Sequence, residues 1–365
     1  MPNSPMPVTP ISPRQKARIL AEALPFIRAF HASTLIIRFG GGAMSDPVLK
    51  EGFARDVALL RLVGMNPIVV HGGGWRIDEL LQTMGIEIRR HKGVRVTDEP
   101  TLNVVEMVLG EINQELVGLI NKFGAKAVGL SGQDGRFIHA RRMSADGPPL
   151  GAHCAPSGGV GVVTSADGPP LSARPPGGER RAATVEGEHT SVSVEDAGSG
   201  APDLGLVGEV ESIDPDVIHL LLSRGFVPVI MPIGVGTDGT AFHINSDVFA
   251  GQLARTLHAE KLILMTNVPG VLDRDGKLVF VLTANDADEM LQAGAVNAAM
   301  QPRLIAALAA VREGVRSVHI IDGGVASALL LEVLTNSGIG TAVRSDAGPH
   351  FLADSRSYFA GAIPP

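Results

Sequence analysis

Cysteine is almost absent from this chain: its 365 residues include one, Cys154, so no disulfide can form within it. Such scarcity suits a reducing compartment, where thiols stay free. Aromatic residues are also scarce, at 4%, with one Trp and one Tyr. No stretch interleaves rings with basic side chains, and no Arg-rich stripe stands against the net charge of −7, so nucleic acid is not expected as a partner. No apolar run approaches the ~18 residues that suggest a membrane span. The opening segment MPNSPMPVTPISPRQK lacks the apolar stretch of a secretory signal. The expectation is a soluble, cytoplasmic chain that uses no membrane. Hydrophobic side chains, at 45%, are ample for a large core. A mildly acidic chain of this kind binds anions only where its positive groups are gathered in a cleft.

Short apolar runs alternate with amphipathic helices along the chain. Residues 1–14 are rich in Pro and Ser and are expected to be disordered. A helix follows over 15–30, which Pro25 is expected to kink or break. TLIIRF (34–39), NPIVV (66–70) and KAVGLS (126–131) read as strands, with helices over 46–64, 75–84 and 99–123. Further on, GFVPVIMPIG, KLILMTN and SVHIID read as buried strands, with helices over 246–258, 302–314 and 326–335. Continuously apolar strands that alternate with helices imply an α/β fold, a mainly parallel sheet sandwiched between helices. Residues 15–142 and 203–345 are read as one domain, and 346–365 as a tail. The interruption at 143–202 is rich in Gly, Pro, Ala and Ser and repeats SADGPPL at 144–150 and 165–171. That composition buries too little apolar surface to offset the entropy of ordering, so a disordered surface insertion is expected, with Cys154 exposed in it.

Two glycine clusters follow strands. IIRFGGGAM carries Gly40, Gly41 and Gly42; IVVHGGGWRIDEL carries Gly72, Gly73 and Gly74 ahead of a helix. Consecutive glycines let backbone N–H groups face an anion, and a helix N-terminus adds a positive dipole end. Neither cluster has the spacing of GxGxxG or GxxxxGK[ST], so Rossmann and P-loop readings fail. Each alone could be a tight turn, but two at the carboxyl ends of strands fall where α/β sheets bind ligands. In KGVRVTDEPTL (92–102), Arg95 could grip a carboxylate bidentately or simply be a solvated loop residue. PIGVGTDGTAFHINSDVFAG (232–251) reads as a hairpin running into a helix start, with Ser246 or Asp247 as N-cap. The alternative there is that Asp247 orients catalytic cations while His243 and Asn245 face a substrate. Thr266 and Asn267 end a strand before a Pro-Gly turn at Gly270, and Arg303 opens a helix after Pro302.

In this order, from about residue 15 to 344 and apart from the insertion, these segments resemble the acetylglutamate kinases of the amino-acid kinase family. FARDVALLRLVGMNPIVVHGGG, GVRVTD, NKFGAKAVGLSGQDG, GEVESIDP, PVIMPIGV, INSD, KLILMTNVPGVL and LLLEVLTNSGIGT carry the likeness. The resemblance implies ATP- and Mg²⁺-dependent phosphorylation of the γ-carboxylate of N-acetyl-L-glutamate, a step towards arginine. It divides the domain into an N-terminal acceptor half and a C-terminal ATP half. It assigns Gly40 and Gly41 to the transferring phosphate, and Gly73, Gly74, Arg95, His243 and Asn245 to the acceptor. Thr266, Asn267 and Gly270 fall to the nucleotide, and Asp247 organises two flanking cations. No metal site built by protein side chains is implied. Glu332 and Gly338 resemble an arginine effector site, and the N-terminal helix resembles one that joins dimers into hexamers, so a homodimer or homohexamer is expected.

The chain departs from that pattern at the reaction centre. Where the family has lysines, before its first glycine pair and in its GGMxxK segment, this chain has Arg38 and Arg303. His243 replaces a substrate-side Asn, Gln133 a Lys and Asn267 an Asp, while Trp75 follows HGGG in place of a small residue or Pro. Arg keeps the charge of Lys but is longer and planar, so the exchange is not conservative. The alternatives are a regulatory or arginine-sensing paralogue, or a kinase for a related N-acylated amino-acid carboxylate, its pocket reshaped by His243 and Trp75.

Overall fold

The computed structural model describes residues 12–91, 93–144, 203–297, 300–336 and 338–346. Residues 1–11, most of the segment read as an insertion, with Cys154, and nearly all of the tail lie outside the described residues.

Ser12 starts the first helix, α1 (Pro13–Phe30), through a capping box with Gln15, ahead of the expected start at 15. Pro25 does not break it. Phe26, Ile27 and Phe30 pack onto the core and carry the helix past the missing hydrogen bond. Then follow β1 (Thr34–Phe39), α2 (Pro47–Leu62), β2 (Asn66–His71) and α3 (Gly74–Thr83). A hairpin of β3 (Arg90–His91) and β4 (Val94–Arg95) leads to α4 (Glu99–Lys122), β5 (Lys126–Ser131) and β6 (Ile138–Arg142). The later half comprises β7 (Val207–Ile213), α5 (Asp216–Ser223), β8 (Phe226–Met231), β9 (Ile233–Val235), β10 (Ala241–Ile244) and α6 (Ser246–Thr256). It ends with β11 (Lys261–Thr266), β12 (Val281–Thr283), α7 (Ala284–Gln292), α8 (Gln301–Arg312), β13 (Ser317–Asp322), α9 (Ala328–Leu334) and β14 (Thr341–Arg344).

Eight strands form one sheet in the order β12-β14-β13-β11-β1-β2-β8-β5, parallel throughout except where β14 runs against β13. The sandwich follows from side-chain alternation along β1. Leu35, Ile37 and Phe39 enter the core beneath α2, α4 and α9, whereas Ile36 enters the core beneath α6 and α8. Arg38, next on the even face, therefore emerges on the α6 side.

Strands β6, β7, β9 and β10 close into a small barrel beside the carboxyl edge of the sheet. The hairpin between β9 and β10 is the one expected at 232–251, and Asp238 holds its turn by accepting from the Thr240 amide and hydroxyl. The cap of α6 differs from expectation. It is Asn245, whose Oδ1 accepts from the amides of Asp247 and Val248, so Ser246 and Asp247 are left for other work.

Candidate active site

The two glycine loops lie side by side because β1 and β2 are parallel neighbours in register, with Phe39 opposite His71 and Gly72 N–H donating to Phe39 O at 3.1 Å. The first loop tightens into a short 3₁₀ turn over Gly41–Met44. Gly41 has φ +79°, a left-handed conformation that a side chain would strain, and a Cβ there would also strike the Asn267 amide. Asn267 accepts from Gly42 N–H and so ties the end of β11 to this loop. The second loop opens α3 at Gly73 with no side-chain cap, so the first amides of that helix remain for a ligand. A Cβ on Gly73 would crowd Leu109 and Ile112 of α4, whose side-chain methyls stand 3.0 Å from its place and would have to shift.

Beneath the second loop His71 is fully buried. Its Nε2 faces the Asn113 amide at 3.1 Å and its Nδ1 the Gly72 carbonyl at 3.0 Å. Asn113 Nδ2 is a donor, so Nε2 accepts and Nδ1–H donates to Gly72. Burial, reinforced by the Arg38 charge, pushes the imidazole down to about 4 and keeps it neutral.

Between the loops and the small barrel lies a cleft of about 200 Å³. It brings together Arg38, Gly73, Gly74, Arg95, His243 and Asn245, six of the residues singled out in the sequence, with Ser246 and the apolar Ile77, Leu109 and Ile244. Arg95 is 7% exposed, and its Nη2 donates to Asp78 at 2.6 Å and to Gly74 O at 3.1 Å. Its Nε–H is buried with no acceptor. Burial lowers the Arg95 pKa, opposed by the Asp78 carboxylate. His243, also pushed down to about 4 by burial and by Arg95, enters the cleft neutral. On the α6 side Asp247 stands 2.7 Å from Arg38 Nε. Trp75 is exposed on α3 and does not line the cleft, so it does not reshape this pocket.

Thr266 is 1% exposed, and its hydroxyl is committed inside the fold to Val268 and Ile321. Gly270 packs against Thr341 and Leu278 so closely that no Cβ fits. Arg303 sits in the first turn of α8, a helix that packs on α6, and is not among the residues lining the cleft. Glu332 and Gly338 belong to a separate cluster, with Glu332 Oε1 2.5 Å from His319 Nδ1 and Oε2 accepting from Ile339 N–H at 2.7 Å.

The second glycine loop, a helix N-terminus and two arginines share one cleft, with the first glycine loop beside it under the Arg38 guanidinium, an arrangement suited to anionic ligands. The profile of the amino acid kinase family matches residues 33–322. The chain belongs to the amino acid kinase family. Within this family it is 48% identical over 332 residues to the acetylglutamate kinase of Chromobacterium violaceum, covering 91% of this chain and 98% of that one. It is 45% identical over 341 residues to the acetylglutamate kinase of Nitrosospira multiformis, covering 93% and 100%. Among solved structures, N-acetylglutamate synthase from Neisseria gonorrhoeae, complexed with coenzyme A and N-acetyl-glutamate, superposes with a TM-score of 0.69 at 23% identity. That match covers 91% of this chain and 64% of the synthase chain. Carbamate kinase from Giardia lamblia bound to AMP-PNP gives 0.54 at 15%, covering 86% and 99%. At such identities these two structures share the amino-acid kinase fold and no more. Sequence reasoning did not single out Asp78 or Asn113, and read Ser246 only as a candidate N-cap, although these residues hold the site's larger groups. Asp78 had a signal, since it follows Gly74 by one helical turn and so faces the same way.

Proposed function

We propose that this chain is an acetylglutamate kinase, transferring the γ-phosphoryl group of ATP to the γ-carboxylate of N-acetyl-L-glutamate. The observation that carries the reading is the cleft itself: a buried guanidinium with an unmet N–H, Arg95, shares it with Arg38 and the second glycine loop, and Arg38 reaches over Gly40 of the first. The high identity to relatives of that name supports the same substrate pair.

In this reading Arg95 grips the α-carboxylate of the acceptor. The open amides of α3 and the neutral His243 fix the rest of it, together with Nδ2 of Asn245, since that residue's Oδ1 caps α6. A γ-carboxylate oxygen attacks the γ-phosphorus in line. The new O–P bond forms as the bond to the β–γ bridging oxygen breaks, ADP departs and the acyl phosphate remains. The chain's part is positioning and charge stabilisation. Arg38 and the backbone of Gly40 and Gly41 meet the charge on the moving phosphoryl group, and Arg303 supplies the second cation. Asp247 holds Arg38 from α6. Because the Thr266 hydroxyl is committed internally, the strand-end turn to Gly270 meets the nucleotide through backbone and Asn267. Magnesium, if it arrives with the nucleotide, would supply positive charge against the phosphates beside Arg38 and Arg303.

A second observation favours regulation by arginine. Lys261, His319 and Glu332 form a buried chain, with Lys261 Nζ 3.0 Å from His319 Nε2, and Gly338 beside the Glu332 carboxylate. A guanidinium or amino ligand would find that carboxylate as its anchor. The exposed Ile19, Leu20 and Leu24 of α1 support self-association, as dimer or hexamer.

The test is purified protein with ATP, Mg²⁺ and N-acetyl-L-glutamate, trapping acyl phosphate as the hydroxamate. Hydroxamate is expected. Its formation only from other N-acylated diacids would move the substrate, and arginine binding without any ATP turnover would replace the kinase with a sensor.

A further inference from the structure

An arginine in place of a lysine brings more atoms to be held. Arg38 leaves β1 on the α6 face, and its guanidinium folds back over the first glycine loop so closely that any Cβ on Gly40 would collide with it. A planar group can cover Gly40 usefully in one orientation only. The structure shows what sets it. Nε–H and Nη2–H both donate to Ser246 Oγ, at 3.2 and 3.0 Å, and Nη1–H donates to Met265 O at 3.4 Å.

Asp247 takes a different part. Its Oδ1 is 2.7 Å from Arg38 Nε, yet it accepts no hydrogen bond among the described residues, because the Nε–H points at the serine. The carboxylate balances charge, and the hydroxyl fixes direction. Ser246 can do this because Asn245 caps α6, which frees a first-turn serine to face the sheet. A Cβ on Gly72 would lie 3.4 Å from Ser246 Oγ and 3.6 Å from Arg38 Nη2. The serine–arginine pair therefore stands between the two glycine loops. With the side edge of the guanidinium occupied by Ser246, one hydrogen on each terminal nitrogen stays uncommitted, a pair suited to two phosphate oxygens.

We propose that Ser246 is a positioning residue for phosphoryl transfer, and that its hydroxyl is what allows an arginine to serve at position 38. A lysine ammonium is a compact point charge with no plane to orient, so it would need no such partner. This rests on the reading of Arg38 as the cation beside the transferring phosphoryl group.

The test compares wild type, Ser246→Ala, Arg38→Lys and the double variant, with Ser246→Thr as the conservative control. Hydrogen bonds to a charged group contribute about 1.5–3 kcal/mol, so Ser246→Ala is expected to lower kcat roughly 10–100-fold. KM for both substrates should hold, and Ser246→Thr should restore kcat. In the Arg38→Lys background the serine-to-alanine change should cost nothing further. An equal loss in both backgrounds, or a loss appearing in the KM for acetylglutamate, would overturn the proposal. If Arg38→Met, which removes the charge, leaves kcat untouched, the phosphoryl-contact reading fails instead. Crystal structures of wild type and Ser246→Ala give a readout independent of turnover. The Arg38 guanidinium should leave its place over Gly40 in the variant, and a guanidinium that stays there would sink the idea even if no substrate turned over.

Discussion

Arg95 shows how a single residue can announce a ligand. It is almost wholly buried, and Asp78 balances its charge, yet its Nε–H is buried with no acceptor among the described residues. An unmet buried donor typically costs about 1–3 kcal/mol, which a carboxylate would relieve. Arg95→Lys retains a charge but loses the planar fork, so it could satisfy Asp78 or the ligand, not both. We expect the KM for acetylglutamate to rise roughly 10–100-fold while kcat changes little. Steady-state kinetics with acetylglutamate varied at saturating ATP checks this, and a fall in kcat at constant KM would assign Arg95 to the reacting centre instead. Arg95 was legible in the sequence only as one choice between a carboxylate clamp and a solvated loop residue. Burial, which a sequence does not state, excludes the solvated loop residue.

At the scale of elements, the capping of α6 determines what its first turn can do. Asn245 accepts from two backbone amides, which frees Ser246 and Asp247 to face Arg38. Asn245→Ala should lower unfolding stability by about 1 kcal/mol, and Asn245→Asp should preserve it, since either side-chain oxygen caps. Urea denaturation of the two variants separates capping from substrate contact. If Asn245→Asp keeps stability but weakens acetylglutamate binding, Nδ2 is the contact, whereas two variants of equal stability would remove the cap from the account. The long buried strands and the helices around them were readable because continuous apolar runs of six residues with flanking Gly or Pro leave few other states. The small barrel was not. Its strands are short and half-charged, as in IHARR of β6, and their partners lie far away in sequence, with His243 opposite Val207. Helix α5 was missed for another reason: DVIHLLLS is a short apolar run that periodicity cannot tell from a strand.

For the whole molecule, buried bases set the acid limit. His71, His243 and His319 are all pushed down to about 4, chiefly by burial, with Arg38, Arg95 and Lys261 respectively adding to it. Between pH 6.5 and 4 the unfolded chain takes up protons at these positions that the folded chain refuses, so stability falls as pH falls through that window. Asp56 works the other way. Burial against α9 raises its carboxyl to about 6, so it favours the fold at low pH and loses that contribution as pH rises through 6. Glu313, also raised by burial, acts in the same direction as Asp56, so two acids oppose three bases, and the bases prevail. Each tenfold change in proton affinity corresponds to about 1.4 kcal/mol, so by pH 5 a fully buried histidine such as His71 should withdraw roughly 2 kcal/mol. Lys261, pushed down to about 8 by burial, extends the same sign upward, adding stability as pH rises from 8 towards 10.5. The check is the urea midpoint of the intact protein at pH 7 and pH 5. A clear fall towards pH 5 is expected, and an unchanged midpoint would mean that the histidines protonate inside the fold as they do in water. In that case His71 Nε2 would no longer accept from the Asn113 amide at pH 5, while Nδ1–H would still donate to Gly72.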